Sequence, residues 1–178
     1  VLIMSLDSGN GKYESTIRPM IEQKFNIPQD HIIFSAIHQH STPVGSAEYI
    51  ALMSDGAEKA VRQALDDRAP ATMHINKVET KALSFVRNYV ANDPAHTIVG
   101  DNYNDSIGAA YGYLGHESES DKEMRLIKFV REEGKKPIIM VNFQAHPHLG
   151  SSSSDTTIHG DWPAIMREQV AEKLDAHC

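Results

Sequence analysis

Val1-Leu2-Ile3-Met4-Ser5-Leu6 opens the chain, and His31-Ile32-Ile33-Phe34-Ser35-Ala36-Ile37 follows with the same apolar, β-prone character. Each run is too short for a buried helix and predicts a strand, the first continuous enough to be covered on both faces. Between them, Asp7 to Gly11 reads as a loop. Ile17, Met20, Ile21 and Phe25 then recur at helical spacing, predicting a helix from about Tyr13 to Phe25. Pro19 is placed early in that helix, where a missing N–H costs least. Asn26 to Asp30, with Pro28, makes the turn. Strand, helix and strand at this spacing form a βαβ unit, so the two strands are expected to be parallel.

Working outward, Ser46 or Ala47 opens a longer helix that runs to about Asp67 and ends near Pro70. Met73, Ile75 and Val78 alternate with polar residues, predicting extended chain over 71–86. Residues 88–120 are rich in Asn, Asp, Gly, Ser and Tyr without a sustained period, and read as a long irregular excursion. Strands are expected at 124–130 and 137–143, joined by a hairpin-like turn at Glu132-Glu133-Gly134-Lys135. A last helix is expected from about Trp162 to Asp175. No segment repeats. The prediction is one α/β domain over 1–178, layered, with a mixed, partly parallel β-sheet flanked by helices. The chain starts within a strand and stops at a helix end, which reads as a piece of a longer catalytic domain.

Composition narrows the function. The chain has 178 residues, enough to bury a core, and a net charge of −7. Its longest basic run is Lys135-Lys136, so it lacks the basic stripe that a nucleic-acid surface needs. No apolar run nears the roughly 18 residues that span a bilayer, so no transmembrane segment is expected. Cys178 is the sole cysteine, which excludes an internal disulfide or a thiolate cluster. A metal, if held, must sit on histidine and oxygen ligands.

Those groups are concentrated. Asp7 follows the first strand, His38-Gln39-His40 the second, and His146-Pro147-His148 the strand at 137–143. Ligands of open α/β sheets gather at the carboxyl ends of the strands, and three such loops would converge there if their strands were parallel neighbours. Pro43 and Pro147 stiffen the two histidine loops. Neutral imidazole is a good zinc ligand, and a catalytic zinc uses about three protein ligands. The chemistry suggested is metal-assisted hydrolysis of an amide or ester.

Ile33-Phe34-Ser35-Ala36-Ile37-His38-Gln39-His40-Ser41-Thr42-Pro43 resembles the "SATHTHSGP" segment of the neutral ceramidases. Ile139-Met140-Val141-Asn142-Phe143-Gln144-Ala145-His146-Pro147 is similar to their "VNWxAHP" segment, and His159-Gly160-Asp161-Trp162-Pro163 to the "SGD" element that follows. The order agrees along nearly the whole chain. Thr42 departs from the family's glycine. The resemblance implies a zinc amidase acting on the N-acyl bond of a lipid or small molecule. It makes His38 and His146 ligands of one zinc ion and His40 a proton shuttle or transition-state stabiliser beside it. Arg87 would hold substrate or oxyanion, and Asp7 and Asp161 would orient the site. His148 has no counterpart. A glutamate and a tyrosine completing the zinc site are expected outside this chain. The family is often exported.

Two other readings stay open. One is a binding module that keeps the fold without the hydrolytic machinery. The other is a phosphoester hydrolase whose two ions would use Asp7, His38, His146 and Asp161. Ser151 to Ser154 reads as a flexible loop rather than a nucleophile. Tyr103, Tyr111 and Tyr113 are expected to pack the excursion, and His31, His74, His96, His116 and His177 to lie on the surface.

Overall fold

The computed structural model describes residues 1–9, 13–43, 45–81, 83–91, 112–150 and 156–178. The chain divides into two compact units. The first comprises Val1–His74, Lys128–Ile139 and His146–Cys178, and the second Ile75–Ile127 and Met140–Ala145.

In the first unit, β1 (Leu2–Leu6) and β2 (Ile32–Ala36) pair in parallel, with Leu2 opposite Ile32 and Leu6 opposite Ala36. The helix α1 (Glu14–Phe25) crosses between them, as the βαβ reading requires. Ile17 and Ile21 are fully buried, and with Met4, Leu6, Tyr13 and Ile32 they form one core with Ala57 and Val61 of α2 (Ala47–Asp66). Burial of that kind contributes about 1.5–3 kcal/mol for each large aliphatic side chain. Ser46 caps α2, its hydroxyl accepting the Tyr49 N–H at 3.1 Å. Asn26 ends α1 in the left-handed conformation, and its N–H returns to the Glu22 carbonyl.

Two expectations change here. β1 is covered on one face only: Met4 and Leu6 are buried, whereas Ile3 is 49% and Ile33 of β2 54% exposed. The alternation was already present in Ser5 and Ser35, which share the open face with those isoleucines. Pro19 is the sixth residue of α1, past the four N–H groups that lack an intrahelical partner in any case, so it costs the helix a backbone bond.

The remaining strands are β3 (Ala71–Glu79), β4 (Tyr89–Ala91), β5 (Tyr113–His116), β6 (Glu123–Arg131) and β7 (Ile138–Asn142). β3, β6 and β7 form a three-stranded sheet in the order β3-β6-β7. Glu133 and Gly134, both with positive φ, make the turn between β6 and β7. β4 and β5 pair antiparallel, Tyr89 opposite His116, with an irregularity between Val90 and Ala91. The ends of the stretch read as irregular are thus strands; residues 92–111, with Tyr103, Tyr111 and His96, lie outside the described residues. Tyr113 packs on Tyr89 at 4.7 Å between ring centroids. The class is α/β as expected, with three sheets among the described residues in place of one. The last helix, α3 (Asp161–Leu174), returns to the first unit, where His177 bonds across to Pro137 and Ile139. No helix among the described residues is long and apolar enough to cross a membrane.

Candidate metal centre

The site is built where β2 runs out. Ile37 N–H still bonds the Leu6 carbonyl, extending the β1–β2 alignment by one step. The next residue, His38, turns into the left-handed region at φ 60°, a conformation uncommon outside glycine and costly enough to need support. That support comes from the loop after β1. The His38 N–H bonds the Ser8 carbonyl at 3.0 Å, and its ring Nδ1 lies 2.7 Å from the Gly9 carbonyl oxygen. A carbonyl only accepts, so Nδ1 carries the proton and donates it. The Nε2 lone pair is left for another partner. A histidine held this way by a backbone carbonyl has the tautomer and orientation of a metal ligand.

Gln39, between the two histidines, points the other way and is buried at 1% exposure. Its side-chain oxygen accepts the Ser41 N–H at 2.6 Å, tightening the turn that carries His40 back beside His38. The His40 ring meets His38 edge-on at 4.9 Å between centroids and His146 edge-on at 4.7 Å. His38 and His146 stack at 5.1 Å. The His40 Nε2 is 3.3 Å from the His38 Nε2 and 2.8 Å from the His146 Nε2. One ligand nitrogen from each of His38, His40 and His146 therefore falls within 4.8 Å of the others, all three rings being solvent-accessible.

Crowding has an electrostatic signature. The His40 pKa is lowered, first by desolvation and then by the neighbouring His148, His146 and His38, against a small opposing pull from Asp161. The shift favours the neutral form, in which imidazole binds a metal. His148 stands beside the group, its ring 4.3 Å from that of His40 and 5.3 Å from that of His146. It is not one of the three whose nitrogens converge.

Of the acidic candidates, Asp161 is committed to backbone donors and Asp7 to a cation through one oxygen only. An oxygen of Asp7 pairs with Arg167 of α3. Asp161, 6% exposed, sits at the start of α3 with φ 54°. Its carboxylate accepts the N–H groups of Gly150 at 2.9 Å, of Trp162 at 2.7 Å, and of Leu149. Burial is the largest single influence on its pKa and raises it, but the three N–H donors and nearby His159 outweigh it, and the net direction is downward. Arg87 is exposed and belongs to the second unit, ahead of β4.

Sequence reasoning assigned no part to Ser41, Gly9 or His159. His159 Nε2 is 3.0 Å from the Ser41 hydroxyl and 3.2 Å from the Gly150 carbonyl oxygen. No pattern of residue types marks a backbone carbonyl such as that of Gly9 as a histidine's partner. His159 was visible only as a polar residue two positions before Asp161.

No family model matches the chain, and no curated protein matches it. Among solved structures it is similar to the neutral ceramidase from Pseudomonas aeruginosa, with a TM-score of 0.67 and 15% sequence identity over 97% of this chain. The chain spans 28% of the length of that ceramidase. At this identity the likeness shows a shared fold.

Proposed function

We propose that this chain carries the metal-binding part of a zinc-dependent hydrolase acting on N-acyl amide bonds, as a ceramidase does. The observation that carries the reading is the convergence of three imidazole nitrogens, one of them with its tautomer set by the Gly9 carbonyl. A tetrahedral zinc bonded to nitrogen at about 2.0–2.1 Å spaces its ligand atoms about 3.3–3.4 Å apart. The His40–His38 pair is already at 3.3 Å, and the His40–His146 pair at 2.8 Å needs about 0.5 Å of opening. Two of the three nitrogen pairs thus stand within about 0.5 Å of tetrahedral spacing.

In this reading His38, His40 and His146 hold zinc through Nε2. A zinc ion so bound would supply Lewis-acid polarisation of the acyl carbonyl and activation of water. The resemblance makes His40 a proton shuttle or transition-state stabiliser, but its Nε2 lies 3.3 Å and 2.8 Å from those of His38 and His146. His148, beside His40 and outside the converging group, is the imidazole left to hold or pass a proton at the leaving nitrogen. Asp161 keeps the loop carrying His146 and His148 in place through its bonds to Leu149 and Gly150. The two-ion phosphoesterase reading loses support at Asp161, whose carboxylate is taken by backbone donors; Asp7 is paired with Arg167 through one oxygen only.

The test is metal analysis of the purified chain without a histidine tag, beside a His38→Ala, His146→Ala double variant. Zinc-loaded protein is assayed in parallel on fluorogenic N-acyl sphingosine and on simple phosphoesters. The expected result is about one zinc per chain, lost in the double variant, since a catalytic zinc uses about three protein ligands. Amide cleavage is not expected of this chain alone, because the resemblance places a glutamate and a tyrosine of the zinc site outside it; a chelator-sensitive cleavage is expected only where those ligands are supplied. Equal zinc in both proteins would overturn the site, and cleavage of phosphoesters alone would overturn the substrate class.

A further inference from the structure

His38 and His40 sit on one loop and His146 and His148 on another, so a metal site needs something to hold the loops at a set separation. A third loop, before α3, reaches both. The Asp161 N–H donates to His159 Nδ1 at 3.1 Å, which occupies that lone pair. The neutral ring must then carry its proton on Nε2. That Nε2–H faces the Ser41 hydroxyl at 3.0 Å and the Gly150 carbonyl at 3.2 Å. Ser41 is the residue after His40, and Gly150 follows His148 by two.

This tautomer rules out the other use of a serine–histidine pair. A ring that donates from Nε2 cannot take a proton from the Ser41 hydroxyl, so the pair is a clamp and not a nucleophile with its base. The fit at Gly150 is close. A side chain there would place its Cβ 2.6 Å from the His159 Cε1, so the ring lies directly on glycine backbone. Asp161 doubles the link, since its carboxylate takes the N–H of Gly150 while the carbonyl of the same residue faces His159. Gly150 is thus gripped on both polar groups by neighbours two residues apart.

We propose that His159 is a positioning residue for the metal centre, bridging Ser41 and Gly150 and so holding the two histidine loops at ligand separation. The inference rests on the metal reading above and adds a residue to it. Its consequences differ from those of a ligand: loss of His159 loosens the site without removing a donor.

The experiment compares wild type with His159→Ala, His159→Gln and Ser41→Ala. Zinc affinity is measured by competition with a chromophoric chelator, and amide hydrogen exchange at Leu149 and Gly150 is measured in metal-free protein. His159→Ala is expected to weaken zinc binding by about 10- to 100-fold, as loss of a histidine-orienting partner does. It should also speed exchange at Gly150. His159→Gln, whose amide can donate to the same two oxygens, should recover most of both. Ser41→Ala cuts one end of the bridge with little risk to folding, and an intermediate loss of about tenfold is expected. Zinc affinity in both alanine variants within about twofold of wild type would overturn the inference while leaving the metal site standing. If wild type itself takes up no zinc, the metal reading fails and the inference with it, an outcome distinct from any change among the variants.

Discussion

Replacing His40 by alanine separates a ligand from a shuttle. Zinc bound by four protein ligands is worth about 10–16 kcal/mol at neutral pH, or roughly 3–4 kcal/mol for each ligand. His40 Nε2 lies 3.3 Å and 2.8 Å from the other two donors, so it is placed to supply a full share. A loss of about 3 kcal/mol corresponds to roughly 100-fold in affinity. The assay is chelator competition at pH 7.5 on His38→Ala, His40→Ala and His146→Ala, with the melting temperature of each metal-free protein as a folding control. All three rings are exposed and none belongs to the hydrophobic core. The melting temperatures should therefore stay near that of wild type. The reasoning is refuted if His40→Ala binds zinc as wild type does while the other two lose it. His40 would then be a shuttle beside a two-histidine site, and its closeness to the donors would reflect stacking alone.

Other outcomes follow from single contacts. A Cβ at Gly9 would approach the Gln39 carbonyl oxygen to 3.0 Å, so Gly9→Ala should displace the carbonyl that orients His38 and weaken zinc binding by about tenfold, read in the same competition. Ile17→Ala empties a fully buried position and should cost about 2–5 kcal/mol in denaturant unfolding, whereas Leu52→Ala, 64% exposed, should stay within about 0.5 kcal/mol. Asp161 has a folded-state pKa below its ordinary value of 3.8, so the unfolded chain binds its proton first as pH falls. Its contribution is complete above that value and is lost as acid carries the pH through the lower folded value. Asp161→Asn should therefore flatten the acid limb of stability measured between pH 5 and pH 2, and an unchanged slope would show the carboxylate contributes nothing to folding.

The two strands and the helix between them were legible because their signals are periodic and local. Ile17 and Ile21 sit one helical turn apart, and both reach full burial. The converging histidine loops were legible for a different reason, namely that both histidine pairs follow apolar strands and are braced by Pro43 and Pro147. What was not legible depends on backbone geometry. The turn that brings His40 back beside His38 needs a left-handed residue at His38, and histidine does not advertise that conformation as glycine does. The three loops were expected to meet because their strands would be parallel neighbours. Instead β7 pairs with β6, and the loop after it is tied to the site by Asp161 and His159.

That difference bears on how such a site tolerates change. Loops aligned by sheet pairing inherit their spacing from hydrogen bonds that every sequence can make. Here the spacing between His40 and His146 depends on particular side chains: Gln39 within the first loop, and His159 with Asp161 between the loops. A relative could keep all three imidazoles and still lose the metal by changing His159 or Gly150. The reverse substitution, a residue other than histidine at position 159, would need a compensating donor to Ser41 or to the Gly150 carbonyl. Residues 39, 41, 150, 159 and 161 therefore carry as much of the metal-binding argument as the ligands, because a zinc site of about 2.0–2.1 Å bonds tolerates little error in where its donors stand.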